Sequence, residues 1–413
     1  MSDIKIIGVA QKEISRRRYA AESLARQLQS SGFNVEIKEL DKNFNQYDFV
    51  LATRESRLLN DLVEKEEFVL DEGEPKAEGF VLKKNKGKPF IIAGADDSGI
   101  LYGCLELSEK IKLNQELPVE INLSNAPEFK LRGPCIGIQK PTLLEGRNTY
   151  EYPYTPENFP FFYDKEEWLR YLNFLVENRM NTLYLWNGHP FASLLKLEKY
   201  PEAQEVSDEI LQKNQEIYSF ITEEADKRGI WVIQNFYNIF VSKPFAEEHD
   251  METQHRAPTP LLIDYNRECI REFMIKYPHV GLLVCLGEAI RGTENDIEFF
   301  REAIIKGVKS GMRELGKEEL PPLILRAHAS SPEEVMEASL PHYSNLYTMA
   351  KFNGESLTTY MPRGRWQDIH LTLSNLGSVH MANVHILANL EPFRYGAQRY
   401  IKKCVRAIRD RLG

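Results

Sequence analysis

The sequence predicts an α/β protein: a small N-terminal α/β domain followed by a (β/α)8-type TIM barrel that lacks its last βα unit. Three observations predict it. From Lys130 onward short apolar strands alternate with amphipathic helices, the pattern of βα units feeding a parallel sheet. No dinucleotide glycine fingerprint follows the first of these strands, which favours a barrel over an open doubly wound sheet. The polar, proline-bearing stretch Ser124 to Pro127 has the composition of a domain boundary and divides the chain into residues 1–126 and 127–413.

In the first domain, apolar alternation predicts strands at Ile4 to Val9, Asn34 to Glu39 and Phe49 to Ala52, with a helix at Arg18 to Gln29 stopped by Gly32. Gly79 to Lys83 and Pro89 to Ala93 read as a hairpin closed by Asn85-Lys86-Gly87-Lys88. Asp96-Asp97-Ser98-Gly99 then opens a helix from about Ile100 to Ile111.

The barrel strands are expected at Leu131 to Ile138, Thr182 to Trp186, Ile230 to Gln234, Val280 to Leu286, Leu323 to Arg326, Leu346 to Ala350 and Val384 to Leu387. The helices between them carry start and stop signals: Asp164 with Glu167 as a capping box, Pro332 at a first helical position, Gly229 after the helix that begins near Ser207. Ile401 to Leu412 reads as the helix after the seventh strand.

A chain of 413 residues, 42% hydrophobic and 27% charged, can bury a sizeable core. Its net charge of -9 offers no electrostatic footprint for nucleic acid or anionic lipid. Cys104, Cys135, Cys269, Cys285 and Cys404 show neither CxxC spacing nor an even count, so no disulfide framework or zinc site is expected. No apolar run approaches the roughly 18 residues of a membrane span. The first residues lack a signal-peptide profile, so the chain as written reads as cytoplasmic, and as periplasmic or secreted if a leader has been removed.

Chemistry in a barrel sits where strands end at the carboxyl face. Those ends offer Lys140; Trp186, Asn187 and His189; Asn235 and Tyr237; Glu288; Arg326 and His328; Lys351, Asn353 and Glu355; Glu391 and Arg394. Amides, imidazoles and cations beside Trp and Tyr suit sugar hydroxyls and the apolar face of a sugar ring. Lys140, Arg326, Lys351 and Arg394 around one mouth point to an anionic group such as a uronate carboxylate, or else to pairing with the glutamates.

Glu288 directly follows the apolar run Gly281 to Gly287, which is expected to desolvate its carboxyl toward general-acid behaviour; the competing role is an ion pair with Arg291 or Arg326. Glu355 and Glu391 are the candidates for a second carboxylate, each with a structural alternative: a solvated loop residue beside Gly354, or a first-turn carboxylate before Pro392. Their strands are expected across the mouth from that of Glu288, leaving room for a water and favouring inversion. His189 and His328 serve either substrate or neighbouring backbone; His380 and His385 read as structural. Neither HExxH nor paired-Asp spacing occurs, and no metal or cofactor is expected.

Gly87 to Glu109, GKPFIIAGADDSGILYGCLELSE, resembles the non-catalytic α/β domain that precedes the barrel in β-hexosaminidases and α-glucuronidases. Phe162 to Asn187, Gly281 to Glu288 and Asn383 to Gly396 resemble α-glucuronidase-type hydrolases, so the resemblance covers nearly the whole chain. It implies an acid at Glu288 and a base at Glu355 or Glu391. Where hexosaminidases carry an Asp-Glu pair this chain has Gly287-Glu288, which argues against substrate-assisted cleavage of an N-acetyl sugar. The expectation is thus a glycoside hydrolase acting on an anionic oligosaccharide or polysaccharide by inversion. The alternative is a non-catalytic carbohydrate-binding protein on a degenerate or truncated barrel.

Overall fold

The computed structural model describes residues 4–64, 69–70, 73–140, 152–237, 239–328, 330–355, 359–376, 378–384 and 398–411, with Glu64 and Glu355 described by their backbone. The chain divides into two compact units: Met1–Gly133 with Trp168–Asn181 and Glu223–Ile230, and Pro134–Glu167 with Thr182–Thr222 and Trp231–Gly413.

The first unit is built on β1 (Ile4–Val9), β2 (Asn34–Glu39), β3 (Phe49–Thr53), β4 (Phe80–Lys84), β5 (Phe90–Gly94) and β6 (Ile121–Asn125), in the order β2-β1-β3-β5-β4-β6. Strands β3 and β5 are buried along their whole length, as their unbroken apolar runs require. The β4–β5 hairpin turns where expected, with Gly87 at φ +75° and the Lys88 N–H donating to the Asn85 carbonyl at 3.0 Å. The sequence did not announce β6. It lies half exposed at the sheet edge, and its antiparallel ladder with β4 defines it rather than an apolar run.

The helix Asp97–Asn114 starts on a side-chain cap: Asp96 Oδ1 accepts from the Gly99 N–H and Oδ2 from the Glu78 N–H, both at 2.9 Å. The cap draws the helix start onto the chain before β4 so closely that a Cβ on Gly99 would lie 2.1 Å from the Gly79 carbonyl oxygen. Only glycine allows that approach.

The second unit carries β7 (Cys135–Gly137), β8 (Thr182–Trp186), β9 (Trp231–Tyr237), β10 (Val280–Cys285), β11 (Leu323–Arg326), β12 (Leu346–Glu355) and β13 (Val379–Asn383). They form one parallel sheet in the order β13-β12-β11-β10-β9-β8-β7. It curls back on itself, since the Tyr184 hydroxyl on β8 meets Met381 Sδ on β13 at 3.8 Å. With helices following its strands, this is a TIM-type barrel, and among the described residues no strand lies between β13 and β7. Asp164 caps the helix after β7, its Oδ1 accepting from the Glu167 N–H at 2.9 Å, and Pro332 opens the helix after β11.

Two strands differ from expectation. Strand β12 continues through Glu355, so Lys351, Asn353 and Glu355 stand in the strand rather than in a loop after it. Among the described residues the last strand is Val379–Asn383, which the sequence reading did not place; of the expected Val384 to Leu387, residues 385–387 lie outside the described residues. Long-range pairing defines this strand: Thr348 stands in register with His380 and shares a 2.9 Å hydrogen bond with its Nδ1. His380 Nε2 meets His370 Nδ1 at 2.7 Å, and His370 Nε2 meets the Phe352 carbonyl at 3.0 Å. With a carbonyl at one end, the proton pattern is settled: His370 Nε2 donates to it, His380 Nε2 donates to His370, and Thr348 donates to His380, leaving both imidazoles neutral.

These contacts lead to two expected outcomes. Gly99→Ala should destabilise the first unit by about 3 kcal/mol or more, because the Cβ meets backbone rather than a flexible side chain; an unchanged melting temperature would refute the close approach. Burial holds His380 down to about 3, helped by His370, and also lowers His370. The unfolded chain binds these protons first, so their contribution is complete above the ordinary imidazole value of about 6.5 and is lost as pH falls toward about 3. Melting temperature between pH 7 and 4 should therefore fall less steeply in His380→Gln than in the unsubstituted protein, and equal slopes would remove the pair from this account.

Candidate active site

Registered residues of neighbouring parallel strands share a face. Tyr237, Cys285, Arg326, Met349 and Met381 thus form one row across five strands, and Trp186, Asn235, Leu283, Ile324, Tyr347 and Val379 the row beneath. Contacts across the curled sheet show that this face is the barrel interior: Arg326 on β11 lies 4.8 Å from the Trp186 ring centroid on β8. Continuing the same alternation toward the strands' carboxyl ends brings up His328, Lys351 and Asn353.

Arg326 is 5% exposed. Its guanidinium stacks on Trp186, reaches Cys285 Sγ at 3.7 Å and stands 3.8 Å from Glu288 Oε1. The same carboxylate oxygen lies 3.2 Å from His328 Nε2. Tyr237 packs edge-on against Trp186 with centroids 5.3 Å apart. Glu288, Arg326, His328, Trp186, Tyr237 and Cys285 are thereby one cluster, with Lys351 entering through its charge.

The electrostatics follow from burial beside two cations. His328 is held down to about 4 by burial first and then by Arg326 and Lys351, so its 3.2 Å approach to Glu288 is that of a neutral imidazole rather than an ion pair. Burial, then Arg326, also lowers Lys351, against the pull of Glu288 and Cys285. Burial raises the Cys285 thiol to about 12 despite Arg326, and raises Tyr237 with help from Glu288 and Cys285.

Glu288 stands as expected at the end of a fully buried strand, but its side chain is 32% exposed and is faced by a guanidinium and an imidazole instead of being sealed by apolar groups. The Arg326 pairing exists at 3.8 Å, longer than a hydrogen bond. Glu355 closes β12, one strand removed from β10, and so flanks Glu288 around the ring instead of facing it across the mouth. Glu391 and Arg394 lie outside the described residues.

The opposite strand phase receives different work. Asn187 is fully buried, its Nδ2 donating to the Ile138 carbonyl at 2.9 Å and the Tyr152 carbonyl at 3.3 Å while its Oδ1 accepts from the His189 N–H at 2.9 Å. His189 is buried against Tyr265, whose hydroxyl meets its Nε2 at 3.0 Å. Lys140 extends over the Tyr152 ring at 5.6 Å. Asn235 and Asn353 are buried at 3% and 8% exposure, and Asn235 Oδ1 has no partner among the described residues. Sequence reasoning passed over Cys285, although period-two counting along β10 marks it as inward. Among the described residues no cluster of His, Cys, Asp or Glu has the makings of a metal site, and no helix is long and apolar enough to cross a membrane.

The comparisons agree with the barrel fold. Over 99% of its length the chain is 47% identical to a GH138 enzyme described as targeting pectin rhamnogalacturonan II, with a TM-score of 0.87; it spans 57% of that protein. In fold alone it is similar to the GH20 β-N-acetylhexosaminidase from Streptomyces coelicolor A3(2) (12% identity, 92% of this chain and 70% of that one, TM-score 0.55) and to CpGH84B (16%, 91% and 56%, 0.52). No protein-family model matches the chain, and no curated protein is significantly similar to it.

Asn187→Ala separates scaffold from ligand contact. Three buried backbone partners lose their bonds, so stability should fall by about 2–4 kcal/mol; an unchanged melting temperature with weakened sugar binding would instead make Asn187 a binding residue.

Proposed function

We propose that this chain is a glycoside hydrolase of the uronidase kind, acting on an anionic polysaccharide of the pectin type by inverting general acid–base chemistry. The observation that carries the reading is Arg326: a buried guanidinium with five N–H donors, held by an aromatic face and a thiol, with its nearest carboxylate among the described residues beyond hydrogen-bond range. With Lys351 beside it, it suits a uronate carboxylate brought in by the sugar. The similarity to a pectin-targeting enzyme supports the same substrate class, and the α-glucuronidase resemblance of the sequence supports a uronide.

In this reading Glu288 protonates the leaving oxygen and Glu355 activates water. Glu355 is preferred to Glu391 because its backbone ends β12, with only β11 between it and the strand of Glu288. Strands separated by one neighbour are about 9.6 Å apart, a span that admits a water between two carboxyls. Trp186, Tyr237, Asn235 and Asn353 line the sugar's seat.

Glu288→Gln should lower turnover of uronic-acid oligosaccharides and aryl uronides by about 10²–10⁴-fold with the melting temperature retained. The anomer of the first product, read by NMR, tests inversion directly, and near-normal activity in the variant would remove Glu288 from the acid role.

A further inference from the structure

Resting on the uronide reading, we infer that the substrate's own carboxylate loads the acid: when it engages Arg326 and Lys351, the Glu288–His328 pair takes up a proton from solvent, and that proton is the one delivered to the leaving oxygen. The geometry is a buried guanidinium that stands beyond hydrogen-bond range of one carboxylate. Glu288 Oε1 lies 3.8 Å from Arg326 Nη1 and 3.2 Å from His328 Nε2, and Arg326 is nine-tenths buried while Glu288 and His328 both reach the surface of the mouth.

The charged and titratable groups facing the pair come from four strands. They are Tyr237 on β9, Cys285 on β10, Arg326 on β11 beside His328 itself, and Lys351 on β12. The thiol and the phenol are neutral in the working range, so the two cations are the charges that act. Besides burial, they are what hold His328 down to about 4. An incoming carboxylate neutralises them and adds a negative charge, and both changes favour a proton on the pair.

The balance is simple. One proton enters from solvent on binding. It passes from Glu288 to the glycosidic oxygen as the bond to the anomeric carbon breaks, its electron pair staying on that oxygen. Water supplies the new hydroxyl and its proton returns to solvent through the base. A neutral sugar leaves the cations unneutralised and the acid unloaded, so discrimination against it appears in kcat more than in KM.

The test is calorimetry of the wild-type chain with a free hexuronic acid and the matching neutral hexose, at pH about 5 in two buffers of different ionisation enthalpy, together with hydrolysis of the paired aryl glycosides. Expected are uptake approaching one proton per uronate bound, none with the hexose, and kcat at least about 100-fold higher for the uronide. Arg326→Met should abolish the uptake and narrow the kcat ratio; if it fails to fold, the wild-type comparison decides alone. Uronide hydrolysis without proton uptake, or equal uptake with the hexose, overturns this inference and leaves the uronidase reading standing. A wild-type chain that neither binds nor cleaves any uronide overturns both.

Discussion

The period-two alternation of the barrel strands, locked by their parallel register, is the constraint on which the candidate site depends. A slip of one residue along β11 would send Arg326 outward and bring Leu325 into the interior. Register is secured where both faces are buried, as along β10, each of whose six residues is buried. The row Tyr237, Cys285, Arg326 is therefore imposed by hydrophobic packing beneath it and not by attraction among its members. The guanidinium is carried into a desolvated position by its strand, and the Trp186 face and Cys285 thiol offset part of that cost.

A buried cation imposed in this way sets the chemistry of its neighbours. It keeps His328 neutral, lowers Lys351 and stands close to Glu288 without a full ion pair. In the proposed uronide reading an incoming anion satisfies this arrangement, the balance of a site that stores part of its stability for binding. The neutral chain Thr348–His380–His370–Phe352 does the opposite work. Each of its donors and acceptors has a partner, and it anchors the edge strand that carries no such charge.

Much of the fold was legible because long apolar runs and caps are local signals. Strands Ile4–Val9, Thr182–Trp186 and Leu323–Arg326 stand where the sequence puts them, as do the hairpin at Gly87 and the Asp96 cap. Strands β6 and β13 escaped because both are edges, where one-sided burial leaves weak periodicity and the ladder partner makes the choice. At the site, Glu288, Arg326, His328 and Lys351 were found by position at strand ends. Asn187, His189 and Lys140 were grouped with them because a strand end, taken alone, does not say which phase points inward.

The sequence by itself determined the architecture, the inventory of polar residues at the barrel mouth and the carboxyl after the fourth strand, since each follows from spacing along one segment. Tertiary structure alone decided which of those residues meet. That Arg326 lies on Trp186, that one oxygen of Glu288 faces both Arg326 and His328, and that Asn187 bonds the Ile138 carbonyl are relations between strands up to about 140 residues apart in the chain. Their physical cause is the register of the ladder, which no single segment encodes.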